Sequence, residues 1–139
     1  MVLPSRPRFP SDALTGVHVL VADDDEDARV LVATVLEYAG ALVSQSASGR
    51  EALDVLDRVR PHVVVSDIAM PGGDGYWLVR ELRMRAHAGG GAIPAVAITA
   101  YGETHGPDRT LAAGFAAHLR KPIDPWELCR VVATLCRRP

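Results

Sequence analysis

The stretch Val63-Val64-Val65-Ser66-Asp67-Ile68-Ala69-Met70-Pro71-Gly72-Gly73-Asp74-Gly75 decides how this chain is read. Three β-branched valines run into one carboxylate, and a loop punctuated by Pro71, Gly72, Gly73 and Gly75 follows at once. A short apolar run closed by turn residues suits a strand buried on both faces, the kind found in parallel sheets. In open α/β sheets the carboxyl ends of such strands carry the chemistry. Asp67 is therefore the first candidate for a reactive group, and the other residues are weighed by whether they serve it.

Upstream of this stretch, residues 17–22 form a second apolar run, which ends on the acidic series Asp23 to Asp27. A helix is predicted over 27–38, with Val30, Leu31, Val35 and Leu36 as its apolar face and Gly40 as its stop. Residues 41–47 are more polar and suit an edge strand. Ser48 can cap a helix over 49–60, closed by Pro61. Downstream, a helix over 76–85 leads through Gly89-Gly90-Gly91 to a strand over 93–99. A short helix from Pro107 to Ala113, stopped by Gly114, precedes a strand over 116–119 and a last helix over 125–137. Five strands alternating with five helices imply a doubly wound α/β fold. Its sheet is parallel, and right-handed crossovers place helices on both faces.

Composition narrows the function classes. The chain has 139 residues, enough for one domain with a substantial core. A net charge of −2 gives no bulk attraction to nucleic acid or to a membrane surface. Residues 1–15, with Pro4, Pro7 and Pro10, read as a flexible tail or linker, leaving 16–139 as the domain. No apolar run approaches the roughly 20 residues of a membrane-spanning helix, so a cytoplasmic location is the expectation. Cys129 and Cys136 lie two helical turns apart, roughly 10 Å, too far for a disulfide, and read as small buried apolar residues. The five histidines show no ligand spacing, and Trp77 and Trp126 read as packing or contact residues.

Four predicted strands end on groups suited to phosphoryl chemistry: Asp23 and Asp24, Asp67, Thr99, and Lys121. In a parallel sheet all these ends lie on one edge. Carboxylates about 4 Å apart repel by roughly 4 kcal/mol at an effective dielectric near 20. A divalent cation with Lys121 would balance three of them, and an all-oxygen ligand set favours Mg²⁺. Asp67 would then be the nucleophile that forms an acyl phosphate. Thr99 would donate a hydrogen bond to a phosphoryl oxygen and Lys121 would pair with the phosphate.

These residues resemble the response regulator receiver domain of two-component signalling, chemotaxis regulators among them, over roughly 17–137. The resemblance rests on four segments in order. They are Val21-Ala22-Asp23-Asp24-Asp25, Ser66-Asp67-Ile68-Ala69-Met70-Pro71-Gly72, Ala97-Ile98-Thr99-Ala100 and Leu119-Arg120-Lys121-Pro122. It implies a flavodoxin-like (βα)5 fold with strand order 2-1-3-4-5. It also implies that Asp67 accepts a phosphoryl group from a histidine kinase or a histidine phosphotransfer protein. Asp24 would bind Mg²⁺ directly, Asp23 largely through water, and the backbone carbonyl of Ala69 would complete the set. A cis Lys121-Pro122 bond and an output surface within 103–137 follow from the same resemblance, as does room for a homodimer formed on phosphorylation. Direct nucleic-acid contact and membrane association are not expected.

Three positions depart from the resemblance. His118 stands three residues before the lysine, where the family usually places Tyr or Phe at its switch position. Ala69 and Tyr101, each two residues past a site group, are expected to tune the lifetime of the phosphorylated state. Taken alone, the Asp23–Asp27 run would be a solvated loop, Asp74 a turn residue and Lys121 a surface lysine, while Asp25 reads equally as helix-start charge or as a residue that tunes the metal pocket. An aspartyl-phosphate phosphatase would need an acid where Ala69 stands, and a flavodoxin-like cofactor binder would need a phosphate-cradling loop. A stand-alone regulator and a receiver module of a hybrid sensor kinase remain equal readings.

Overall fold

Every residue of β3 (Val63–Asp67) is buried, because this strand lies at the centre of a five-stranded parallel sheet of order β2-β1-β3-β4-β5. A computed structural model describes residues 12–85, 89–100 and 107–136. Around β3 run β1 (His18–Ala22), β2 (Leu42–Ser46), β4 (Ala95–Thr99) and β5 (Ala117–Arg120). The helices are α1 (Glu26–Tyr38), α2 (Gly49–Val59), α3 (Gly75–Arg83), α4 (Pro107–Ala113) and α5 (Pro125–Cys136). The expected strand order is the observed one, and β2 is an edge strand with Leu42 largely exposed.

Alternation along the strands builds two cores. Val19, Val21, Val63, Val65, Val96, Ile98 and Leu119 point to one face, where Leu36 of α1 and Leu128, Cys129 and Val132 of α5 cover them. Leu20, Val64, Ala95 and Ala97 point to the other face, against Ala52 and Leu56 of α2 and Leu78, Val79 and Leu82 of α3. Burying each such valine or leucine contributes about 1.5–3 kcal/mol, so the valine-rich strands anchor both layers. No helix among the described residues is long and apolar enough to cross a membrane.

The loops at the carboxyl edge of the sheet end in helix caps. Asp25 accepts the N–H groups of Asp27 and Ala28, Ser48 that of Glu51, and Asp74 that of Trp77. Each cap satisfies donors that the first helical turn leaves open, worth typically about 1 kcal/mol. Asp25 and Asp74 thereby serve the chain locally, as helix-start charge and turn residue. The loop after β3 also needs a glycine at 75. A Cβ there would come within 2.6 Å of the Asp67 carbonyl oxygen, and the Gly75 N–H donates to the Ile68 carbonyl at 2.9 Å. This close return fixes the exit of Asp67's strand.

Three expectations change. Val30 and Leu31 are exposed, at 44% and 62%, while α1 buries Val32, Ala33 and Leu36. Apolar residues at 30–32 and 35–36 allow two stripes, and the position of α5 and β2 selects the one through Val32 and Leu36. Leu14, assigned to the tail over 1–15, is fully buried against the α1/α5 core, and its N–H donates to the Ala39 carbonyl at 2.8 Å. Residues 1–11 lie outside the described residues. Cys129 is buried but Cys136 only partly so; both are free, and burial pushes the Cys129 thiol up to about 11. The Lys121-Pro122 peptide is cis.

Candidate phosphoryl-transfer site

Asp23 and Asp24 follow β1, Asp67 ends β3, Thr99 ends β4 and Lys121 follows β5, so the parallel sheet carries all five to one edge. One carboxylate oxygen each of Asp23, Asp24 and Asp67 lies within 4.8 Å of the others. Asp23 and Asp67 are buried, whereas Asp24 is exposed at the mouth of the cluster. Among the described residues this is the one group of His, Cys, Asp and Glu side chains that converges in this way, and no histidine takes part.

The Lys121 Nζ sits between two of the acids, 3.5 Å from Asp23 Oδ2 and 3.6 Å from Asp67 Oδ2. Its backbone N–H donates to the Thr99 carbonyl at 2.8 Å, which locks the end of β5 onto β4. Burial alone would lower the ammonium's pKa, but the Asp67 and Asp23 charges and hydrogen bonds hold it above the ordinary value. Asp67 shows the opposite balance. Burial, followed by the Asp23 charge, pushes it up to about 6, although Lys121 and the backbone N–H groups of Ala69 and Ile68 favour its charged form. A carboxylate so raised by desolvation and a like charge, at a strand end, is a mark of a functional site.

Asp23 is held on three sides. Its Oδ1 accepts the Asp25 N–H at 3.0 Å, its own N–H donates to the Ser46 carbonyl, and its carbonyl accepts from Arg29 Nη1 at 2.9 Å. Arg29 Nε also reaches the Gln45 side-chain oxygen at 3.1 Å, tying α1 to the end of β2. Sequence reading missed Arg29, because its partner is a backbone carbonyl and no motif marks it. It also missed Thr110. The Thr99 hydroxyl is buried and lies 3.1 Å from His118 Nε2, while the other ring nitrogen, Nδ1, lies 3.0 Å from the hydroxyl of Thr110 on α4. Ala69 is exposed on the loop after Asp67. Tyr101 lies outside the described residues, as do 103–106 and 137 of the expected output surface.

The donor set fits a hard divalent cation. It offers three carboxylates, no sulfur or imidazole, one ligand open to solvent, and an excess of negative charge that Lys121 balances only in part.

Comparison with known proteins agrees with this geometry. A family model described as the response regulator receiver domain matches residues 19–133. The chain is 42% identical to an uncharacterised 14.6 kDa protein of the sodA1 3' region of Leptolyngbya boryana, over 88% of this chain and 92% of that one. It is 37% identical to the response regulator Rre1 of Synechocystis, over 88% of this chain but only 52% of Rre1, so it spans about half of that protein. Among solved structures, the signal receiver domain of a signal transduction histidine kinase from Syntrophus aciditrophicus superposes with a TM-score of 0.79. The two are 27% identical, over 87% of this chain and 90% of that one.

Proposed function

We propose, for a chain that belongs to the response regulator receiver domain family, that Asp67 is its phosphoacceptor and that the reaction depends on Mg²⁺. One observation carries this reading: three carboxylates lie within 4.8 Å at the sheet edge, with a lysine between the two buried ones. A carboxylate oxygen of Asp67 attacks the phosphorus of a phosphohistidine on a histidine kinase or histidine phosphotransfer protein. The O–P bond forms as the P–N bond breaks, and the electron pair stays on the partner's imidazole nitrogen. With its pKa at about 6, Asp67 is largely ionised at neutral pH and ready to attack.

The carboxylates of Asp23, Asp24 and Asp67, with the Ala69 carbonyl, would hold Mg²⁺. When bound, it supplies positive charge against the acids and the phosphoryl oxygens. Lys121 is already placed against Asp67 and pairs with the transferred phosphoryl group. Thr99 donates its hydroxyl to a phosphoryl oxygen, and His118, at its side, passes the change to the surface within 103–137. The downstream partner docks there, and the phosphorylated form is free to dimerise. An aspartyl-phosphate phosphatase is disfavoured by Ala69, whose methyl group cannot protonate a leaving group.

The test is incubation with acetyl phosphate or a phosphorylated kinase, with and without Mg²⁺, read by intact mass and by acid-stable, base-labile phosphate. One phosphoryl group per chain is expected, lost with a chelator and lost in Asp67→Asn. Full labelling of Asp67→Asn would sink the acceptor assignment.

A further inference from the structure

The loop after β3 carries Ala69 away from Asp67, and side chains bury only its first half. Ile68 and Met70 lie in the core beneath α2 and α3, whereas Gly72 and Gly73 have no side chain to bury. Both glycines take positive φ, +67° and +99°, which suits residues without a Cβ. Their carbonyls meet the start of α2. The Gly49 N–H donates to the Gly73 carbonyl at 3.0 Å, and the Arg50 N–H to the Gly72 carbonyl at 3.4 Å. Ser48 takes the next donor, the Glu51 N–H. Three N–H groups that a first turn leaves open are thus satisfied, two of them by the loop.

Water competes for hydrogen bonds of this kind, so the two need cover if they are to hold the loop. Trp77 supplies it. A Cβ at Gly73 would come within 2.7 Å of the Trp77 Cε3, and one at Gly49 within 3.0 Å of the same atom, so the indole lies against both glycines. The ring is fixed at its root, where the Trp77 N–H donates to Asp74 Oδ1 at 2.8 Å. Arg50 then closes the arrangement. Its guanidinium carbon sits over the Trp77 ring, 5.1 Å from the centroid, within reach of a cation–π contact. Arg50 therefore holds the loop twice, by its backbone at Gly72 and by its side chain through Trp77.

The other end of this loop lies at the reacting group, where the Ala69 N–H donates to the Asp67 carboxylate. We propose that Arg50 and Trp77 are positioning residues for the acceptor site: they clip the loop after β3 onto the N-terminus of α2, and so hold the Ala69 backbone against the acid cluster. The clip and its hold on the Ala69 N–H do not depend on a metal. The hold on the Ala69 carbonyl matters through the Mg²⁺ reading given above and rests on it. Neither side chain touches the acids, so both act only through the loop.

The test is amide exchange by NMR on the full chain, first with a chelator present. In Arg50→Gln the Gly49 and Arg50-position amides should exchange about two- to fivefold faster, the factor an exposed cation–π contact supplies. Trp77→Leu should speed them at least as much. The Leu56 amide, deep in the same helix, should not change, and the Ala69 amide proton should move upfield as its bond to Asp67 loosens. Arg50→Lys, which keeps a cation over the ring, should restore the wild-type pattern. Unchanged Gly49 exchange, or equal acceleration at Leu56, overturns the clip; an unmoved Ala69 amide overturns its hold on the acceptor site. Arg50 is exposed, so its variants decide the matter even if Trp77→Leu does not fold. Titration calorimetry with Mg²⁺ comes second, and Arg50→Gln should bind several-fold more weakly than the wild type. Unchanged affinity overturns the hold on the Ala69 carbonyl. A wild type that binds no Mg²⁺ removes the metal reading instead, and the chelator-treated spectra still decide the clip.

Discussion

Replacing Asp67 by Asn should make the metal-free protein more stable, and by an amount that depends on pH. The folded chain raises this carboxyl from 3.8 to about 6, first by burial and then by the nearby Asp23 charge. The folded state therefore holds the proton more tightly than the unfolded chain does. Between about pH 4 and pH 6 the native state binds more protons, so stability falls as pH rises through that window. Above it the whole cost is present. A shift of about two units corresponds to about 3 kcal/mol. Asn keeps the shape and the acceptor oxygen but has no charge to lose, so it escapes that cost.

The assay is urea unfolding with a chelator present, at several values from about pH 4.5 to pH 8. At the upper end Asp67→Asn should gain about 2–3 kcal/mol, or on the order of 6–10 °C in Tm for a chain of this size. Near pH 4 the two proteins should converge. Saturating Mg²⁺ should narrow the gap from the wild-type side, because the cation binds only the folded form of the acidic cluster. A stability gap that is flat across pH, or a variant less stable than wild type at pH 8, would refute the electrostatic account of the site.

Mg²⁺ at ten times its dissociation constant should stabilise the wild type by about 1.4 kcal/mol, seen as a Tm increase that a chelator reverses and that Asp24→Asn abolishes. Arg29→Gln should weaken Mg²⁺ binding several-fold without touching a ligand side chain, measured by titration calorimetry, because Asp23 loses the contact on its carbonyl. Leu14→Ala should cost about 2–4 kcal/mol in urea unfolding, where a mobile tail residue would cost nothing. Ala69→Asn and Tyr101→Glu should change the rate of dephosphorylation, followed by loss of label after removal of the donor; unchanged rates would refute their assignment to lifetime control.

What was legible in the sequence was what repeats or what is chemically costly. Three valines running into Asp67 could be read as a central strand because burial on both faces removes the polar alternation of other strands. Asp23, Asp24, Thr99 and Lys121 could be read because each follows an apolar run, and parallel strands send those ends to one edge. Even α4, seven residues long, has the predicted bounds, since Pro107 and Gly114 mark its two ends. Leu14 was hidden by the prolines around it, for its burial depends on the turn beneath α1, a contact between distant segments. The burial of Val32 in place of Val30 and Leu31 was hidden because α1 has more apolar residues than one face needs. Arg29 and Thr110 belong to a further class. Their partners are a backbone carbonyl and a half-buried ring, and neither leaves a periodic or compositional trace.

The instability of Asp67 and its proposed chemistry have one cause. A lone lysine between Asp23 and Asp67 offsets part of the repulsion among three acids, and Asp24 is left facing solvent with no share of it. A second lysine would have quieted the cluster and stabilised the fold, but it would also have filled the place a divalent cation needs. A neutral residue at 67 would have done the same and removed the nucleophile. The arrangement thus keeps a deficit of positive charge at one edge of the sheet, deepest at the carboxylate that must react. In the proposed reaction Mg²⁺ would relieve that deficit only reversibly, and the phosphoryl group would take up Lys121 and Thr99 in its turn. Thr99 and Lys121 stand at the ends of adjacent strands, joined by the Lys121 N–H to the Thr99 carbonyl, so a change at one end of β4 is felt directly at the end of β5. Charge at Asp67 and the hold of Lys121 on the end of β5 are therefore parts of one electrostatic balance.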